Sequence, residues 1–352
     1  MHEYIKKAYD NIGLPRLIIA SFFLFVLLSA APMGLNIASL LGDTFRRWAM
    51  YGILVLAMVP AIQSGIGPNF GISLGIVSGL LGAAISIELE IANPKLAIMV
   101  AMLVGTSIAT ILGILYGLLL NNVKGSEMTV STYVGFSVIA FMNIMWLSLP
   151  FTNGDLIWPI GKVGMRNTIS LANTFGGLLN NTWSFTIGQE GKGLFVPTGL
   201  LLFFFLVCII VWLFMRSKTG IALSAAGSNP TFTRSSGINV NKMRIVGTAL
   251  STALGAIGII TYAQSYGFLQ LYNAPLWMGF HCVAAVLIGG ATTKKATISH
   301  VIVGTFLFQG ILAVALPVIN QVLPESNLPD VIRLIISNGI ILYALSKTKG
   351  DK

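Results

Sequence analysis

The chain has 352 residues, 55% of them hydrophobic and only 9% charged, with a formal net charge of +10. Soluble domains carry about 25% charged residues, so this composition excludes a soluble globular enzyme, and its hydrophobicity excludes disorder. What remains is a polytopic membrane protein, in which excess Lys and Arg marks cytoplasmic loops rather than a nucleic-acid partner.

A membrane-crossing helix needs about 20 mostly apolar residues. In chain order the candidate runs are Leu17–Met33, Trp48–Gln63, Phe70–Glu88, Leu96–Leu120, Val130–Leu149, Leu194–Met215, Ile245–Tyr262, Trp277–Gly290, Ile298–Val318 and Val331–Leu345. The third and eighth are short or interrupted. The first follows Lys6 and Lys7 and ends near Ser29-Ala30-Ala31, as a signal peptide would; with further spans behind it, it reads as an uncleaved first helix. Cys208 and Cys282 lie in apolar runs and read as buried thiols, with no disulfide framework.

With the N-terminus placed inside, the inner segments hold fourteen basic residues against four acids, and the outer ones six against seven. The positive-inside rule then predicts an even number of spans with both termini cytoplasmic. Arg46-Arg47, placed outside, is the one local objection. No acid or base falls at the middle of a span, which argues against a proton relay. His281 is the only titratable candidate there and reads either as a packed, hydrogen-bonded residue or as a group touching the solute. With no second ligand at helical spacing, no metal site is expected.

Gly71, Gly75, Gly79 and Gly82 line one helical face, and Gly113 and Gly117 repeat the spacing; both read as sites of close helix packing. Before the first stripe stands Gln63-Ser64-Gly65-Ile66-Gly67-Pro68-Asn69-Phe70, too rich in Gly and Pro for a continuous helix. It reads either as a loop or as a break at membrane depth lining a cavity. A second polar stretch, Ala263–Ala274, contains Gln264, Ser265, Tyr266, Gly267 and Gln270 and is compatible with two related halves. The outer piece Pro150–Gly193 is too long for a tight connection. Its Trp158 and Trp183 read either as interfacial anchors or as part of a docking surface for an external partner.

The inner loop, residues 216–243, is basic. Pro230 can begin a short helix and Gly237 can stop it, with Phe232 as an apolar knob. From the residues alone it is equally a solvated connection. The pattern Gly220-Ile221, Ala226-Gly227-Ser228-Asn229-Pro230, Ser236-Gly237-Ile238-Asn239-Val240-Asn241-Lys242 resembles the inner loop of bacterial ABC-importer permeases. The class is the monosaccharide (ribose-type) and nucleoside branch of the branched-chain amino acid/ribose permease superfamily. Ala284–Gly290 and Ile302-Val303-Gly304-Thr305 are similar to further stretches of that family.

The resemblance implies an all-α, polytopic permease of about ten helices, some broken or re-entrant, with a type II-like importer fold forming one domain over residues 1–352. It implies a bacterial inner-membrane location. It implies a second permease subunit, identical or paralogous, a cytoplasmic ATPase that binds ATP and Mg, and an external binding protein or lipoprotein. Gly227, Asn229, Pro230, Phe232, Arg234, Ser236, Gly237 and Ile238 would then couple to the ATPase. The chain has no Walker A pattern and is expected to be a subunit rather than an enzyme, without a cofactor of its own.

Sugar permeases open the third span with a pattern like Ser-Gly-Ile-Asp-Leu-Ser-Val-Gly. Here Ser64-Gly65-Ile66 is followed by Gly67-Pro68-Asn69-Phe70-Gly71-Ile72-Ser73, without the acid, and Asn69-Phe70 is closer to the nucleoside branch. The expected solute is small, neutral and polar: a monosaccharide such as ribose, or a nucleoside. Gln63, Asn69, Phe70, Ser73 and Gln264 would line its path. The broken helices also motivate a reading as a stand-alone carrier or channel, and a membrane scaffold is the third reading.

Overall fold

A computed structural model describes residues 14–159, 161, 164–188, 193–322, 331, 334–336 and 338–342. Helix α1 spans Leu14–Ala30, α2 Ile37–Leu56 and α3 Met58–Gln63. A 3-10 turn over Phe70–Ile72 leads into α4, Ser73–Glu88, followed by α5, Pro94–Asn122, and α6, Glu127–Ser148. Then come β1 (Thr168–Ser170), the single turn α7 (Leu178–Asn181), β2 (Phe185–Ile187) and β3 (Leu194–Val196). Helices α8 (Thr198–Arg216), α9 (Lys218–Ser228), α10 (Pro230–Ser235) and α11 (Val240–Tyr266) follow. Strand β4 (Phe268–Gln270), α12 (Ala274–Ile288) and α13 (Ile298–Val322) complete the sequence of elements.

Among the described residues, seven helical segments are long and apolar enough to cross a membrane, and two shorter apolar helices, α1 and α12, accompany them. The chain is a multi-pass membrane protein. Asparagine side chains begin three of the long helices. Asn36 accepts from the amides of Ala38 and Ser39, Asn93 from Lys95 ahead of Pro94, and Asn239 from Lys242. Each satisfies amides that a helix start leaves without intrahelical partners.

The centre is α4, packed on α5 and α11 through small residues. In α4, 83% of the apolar window is buried, against 28% in α5 and in α6, whose outer faces present Leu103, Ile111, Phe141 and Ile144 to lipid. A methyl group on Gly75 would lie 2.2 Å from the Thr252 carbonyl oxygen, and one on Gly79 2.6 Å from that of Ala256. Gly113 brings α5 equally close to Ala249 and Thr252 of α11. The contacts with the Thr252 and Ala256 carbonyls and the Ala249 Cα are backbone-to-backbone, and Gly113 also meets the Thr252 hydroxyl, the close packing that the glycine spacing predicts.

Two expectations need correction. The second span begins at Ile37 and not at Trp48, so Asp43, Arg46 and Arg47 lie inside a helix instead of an outer loop. The Asn36 cap starts that helix early, and its arginines are accommodated because they line a cavity. Leu194–Val196, expected within the sixth span, is a strand paired with Phe185–Ile187, and the helix starts at Thr198 after Pro197. The polar stretch Ala263–Ala274 joins two helices, as its place between two spans predicts: α11 ends at Gly267, with φ +90°, and β4 pairs antiparallel with β1. Part of the tenth candidate, Val331–Leu345, lies outside the described residues; positions 331, 334–336 and 338–342 are helical.

Candidate functional site

At one end of the bundle, α9 and α10 form the segment that the sequence marked as a coupling loop. Ser217 caps α9, its hydroxyl accepting from the Gly220 amide at 3.2 Å. Asn229 caps α10, its side-chain oxygen accepting from the Phe232 amide at 3.0 Å, and Pro230 occupies the first turn. The helix stops at Gly237, φ +77°, where the Gly237 amide donates to Arg234 and the Ile238 amide to Thr233. This pair of bonds is the Schellman arrangement, which satisfies carbonyls left open at a helix end. Thr233 is buried and anchors the turn, while Phe232 is 67% exposed and Arg234 and Ser236 face outward with it. The sequence thus produces a rigid knob with an aromatic tip.

Gly227, at the end of α9, meets the polar break between α3 and α4. A methyl group there would lie 2.1 Å from the Gln63 carbonyl oxygen and 2.6 Å from the Gly65 nitrogen. Gly65 has φ +80°, which favours glycine, and its own absent methyl would be 2.8 Å from the Gly227 Cα. The two glycines hold the knob-bearing segment directly against the broken helix.

The five pathway candidates are dispersed, and their polar groups are largely occupied. The Gln63 side chain donates to the Ala296 carbonyl. Asn69 is fully buried; its amide donates to the Ser251 hydroxyl at 2.9 Å and its oxygen accepts from the Tyr116 hydroxyl at 3.0 Å. The Ser73 hydroxyl donates to the Pro275 carbonyl at 3.2 Å. Phe70 packs on Phe280 with ring centroids 5.5 Å apart, and the crevice it shares with Ser73 offers about 10 Å³, room for about one water. Gln264 is buried in α11, donates to Thr261 and accepts from the Leu179 amide at 3.1 Å, tying the segment before α8 onto the bundle.

The large cavity lies elsewhere, near the far end of α11, about 40 Å from its start at 1.5 Å per residue. It measures about 470 Å³ and is lined on one side by Arg46, Arg47 and Tyr51 of α2. Opposite stand Tyr262, Ser265 and Tyr266 of α11 and Trp277 of α12. Tyr262 and Tyr266 stack with centroids 5.5 Å apart and planes 13° from parallel, and Tyr51 meets Tyr262 edge-on at 5.1 Å. Gln270, Asn273 and Asn338 add polar groups at the wall. His281 also lines it, with Nδ1 2.7 Å from the Trp277 carbonyl oxygen. Sequence reasoning missed the arginine side of this site, although the polar stretch Ala263–Ala274 and His281 that it singled out supply part of the lining. Its signal was the misplaced arginine pair, together with the aromatic residues at positions 262 and 266, one helical turn apart.

A bundle of lipid-facing helices with an exposed capped knob at one end and an aromatic cavity toward the other has the build of a membrane permease. Residues 40–345 match the family described as branched-chain amino acid transport system / permease component, and the chain belongs to that family. It is 29% identical over 170 residues to a tyrosine transport system permease protein of Clostridioides difficile, covering 46% of this chain and 56% of that one. It is 27% identical over 224 residues to a nucleoside ABC transporter permease protein of Lactococcus lactis, covering 61% and 67%. A galactofuranose transporter permease protein of Escherichia coli is 28% identical over 124 residues, 34% and 36% of the two chains. The matched stretches therefore span from about a third to two thirds of those relatives. No solved structure matches the chain significantly.

Proposed function

We propose that the chain is the permease subunit of an ATP-driven importer for a small polar ring compound, a monosaccharide or a nucleoside. The observation that supports this most directly is the exposed α10 knob held by Gly227 against the break at Gln63–Gly65. A partner that pushes on Phe232 and Arg234 thereby acts on the membrane helices without any flexible link between. In this reading α10 docks on a cytoplasmic ATPase, which binds ATP and Mg, and the chain pairs with a second permease subunit in a bacterial inner membrane, both termini inside. The relatives named for nucleoside and galactofuranose transport support the solute class. The cavity supports it too, since stacked aromatic faces and side-chain amides suit a hydroxylated or heterocyclic ring. An external binding protein would deliver the solute to the segment between α6 and α8. There Trp183, Phe185 and Ile187 are exposed side by side on the β2–β3 hairpin and its lead-in.

The test is solute-stimulated ATP hydrolysis by the reconstituted complex in vesicles. Phe232→Asp combined with Arg234→Glu should abolish stimulation while leaving the folded permease intact. Unchanged stimulation would overturn the coupling role, and uptake by the permease without an ATPase would favour a stand-alone carrier.

A further inference from the structure

The cavity has a charge imbalance that a neutral solute does not explain. Among the described residues its lining contains two guanidiniums and no carboxylate. Arg46 is compensated by Asp43 one turn away, Nη2 to Oδ1 2.8 Å. Arg47, half-buried in the same helix, makes no salt bridge among the described residues. An arginine inside an apolar span and facing a cavity is costly unless it has a role or a partner there. Ser265, in the same lining, is 6% exposed, and its buried hydroxyl has no hydrogen-bond partner among the described residues. Tyr262, Tyr266 and Trp277 share this lining, and the last two are 47% and 58% exposed.

From this we infer that the cavity binds a planar ring compound bearing one anionic group, a carboxylate or a phosphate. Arg47 pairs with the anion, the Ser265 hydroxyl donates to it or to a ring substituent, and the Tyr262–Tyr266 stack and Trp277 hold the ring. A guanidinium offers two parallel N–H donors to either anion, which adds geometry to charge. A cationic solute is disfavoured by the same two arginines. This inference rests on the permease reading and replaces its neutral solute with a ring compound that carries an anionic group.

The experiment uses the full chain in phosphatidylcholine nanodiscs, so that no anionic lipid competes, and titrates 4-hydroxybenzoate, phenyl phosphate and the uncharged 4-hydroxybenzamide by calorimetry. At least one anion should bind tenfold or more tightly than the amide. Arg47→Gln should reduce the anions to the level of the amide, and an unchanged unfolding temperature in the nanodisc shows that the variant is folded. Arg47→Lys should restore part of the preference, and the two anions against each other separate carboxylate from phosphate recognition. Equal binding of all three probes, no binding of any, or a preference that survives Arg47→Gln would overturn the assignment. Uptake separates this from the parent reading. A complex that imports an uncharged sugar or nucleoside equally well with Arg47→Gln remains a permease but loses the anion site. A complex that imports nothing, yet whose permease binds the anions, loses the permease reading alone.

Discussion

Gly227→Ala is the smallest change that separates the knob from the broken helix. The added methyl would sit 2.1 Å from the Gln63 carbonyl oxygen and 2.6 Å from the Gly65 nitrogen. Ordinary contacts begin at 3.4 Å, and both obstructing atoms are backbone, so no side chain can swing aside. Helix α9 must therefore back away by more than an ångström. That displacement loosens the cluster of Leu223, Ala226, Val240 and Met243 that seats it. Forced overpacking of this kind costs about 1–3 kcal/mol. The permease should unfold at a lower temperature in detergent, and solute-stimulated ATP hydrolysis in the reconstituted complex should fall severalfold while unstimulated hydrolysis persists. Ser228→Ala is the control: Ser228 is exposed, its hydroxyl bonds only the Ala225 carbonyl, and neither readout should move. If Gly227→Ala keeps full stimulation and an unchanged unfolding temperature, the glycine contact is not the mechanical link.

Other substitutions probe what holds the bundle. Glu127→Gln leaves Arg244, 7% exposed, without the carboxylate that now sits 2.6 Å away, and should cost about 3 kcal/mol in thermal unfolding. The apolar pair Glu127→Leu with Arg244→Met should recover much of that loss. Asn69→Leu removes the group that joins the Tyr116 and Ser251 hydroxyls and should cost about 1–3 kcal/mol, with the solute preference of the surviving protein unchanged. Gln264→Leu releases the Leu179 amide, and limited proteolysis should then cut more rapidly between α6 and α8.

The periodic and local parts of the fold were legible. Long apolar runs placed the helices, and the third span was read from Phe70 to Glu88 as it stands. Pro230 and Gly237 marked the ends of α10 because each acts on its own backbone, within one turn. The glycine stripes were legible as packing, since the four-residue period of a helix face needs no partner to be seen. What failed depended on partners far along the chain. The β1–β4 pairing joins Thr168–Ser170 to Phe268–Gln270, and nothing in either triplet names the other. Asn69 and Gln264 had the residue type a solute site wants. Buried polar side chains serve architecture equally well, and only their occupied bonds to Tyr116, Ser251 and Leu179 separate the two roles. Arg46 and Arg47 were set outside the membrane because an apolar window ends at a charge. A helix lining a cavity breaks that rule, and the charges the window discards are then the most informative residues in the span.

The geometry also makes α11 the element shared by both ends. Its first residues pack under α9, its middle is locked to α4 by the carbonyls of Thr252 and Ala256 against Gly75 and Gly79 and to α5 by Ala249 against Gly113, and its last turn supplies Tyr262 and Tyr266 to the cavity. Contacts between backbones cannot stretch as long side chains can, so a push received at α9 displaces α11 as a body. Gly79→Ala tests this far from both sites. Its methyl would lie 2.6 Å from the Ala256 carbonyl oxygen and 2.9 Å from the Ala256 Cα, spreading α4 from α11. If α11 transmits the push, Gly79→Ala should weaken solute-stimulated hydrolysis although it touches neither the knob nor the cavity. If stimulation stays at the wild-type level in a variant whose unfolding temperature has fallen, the two ends communicate by another route.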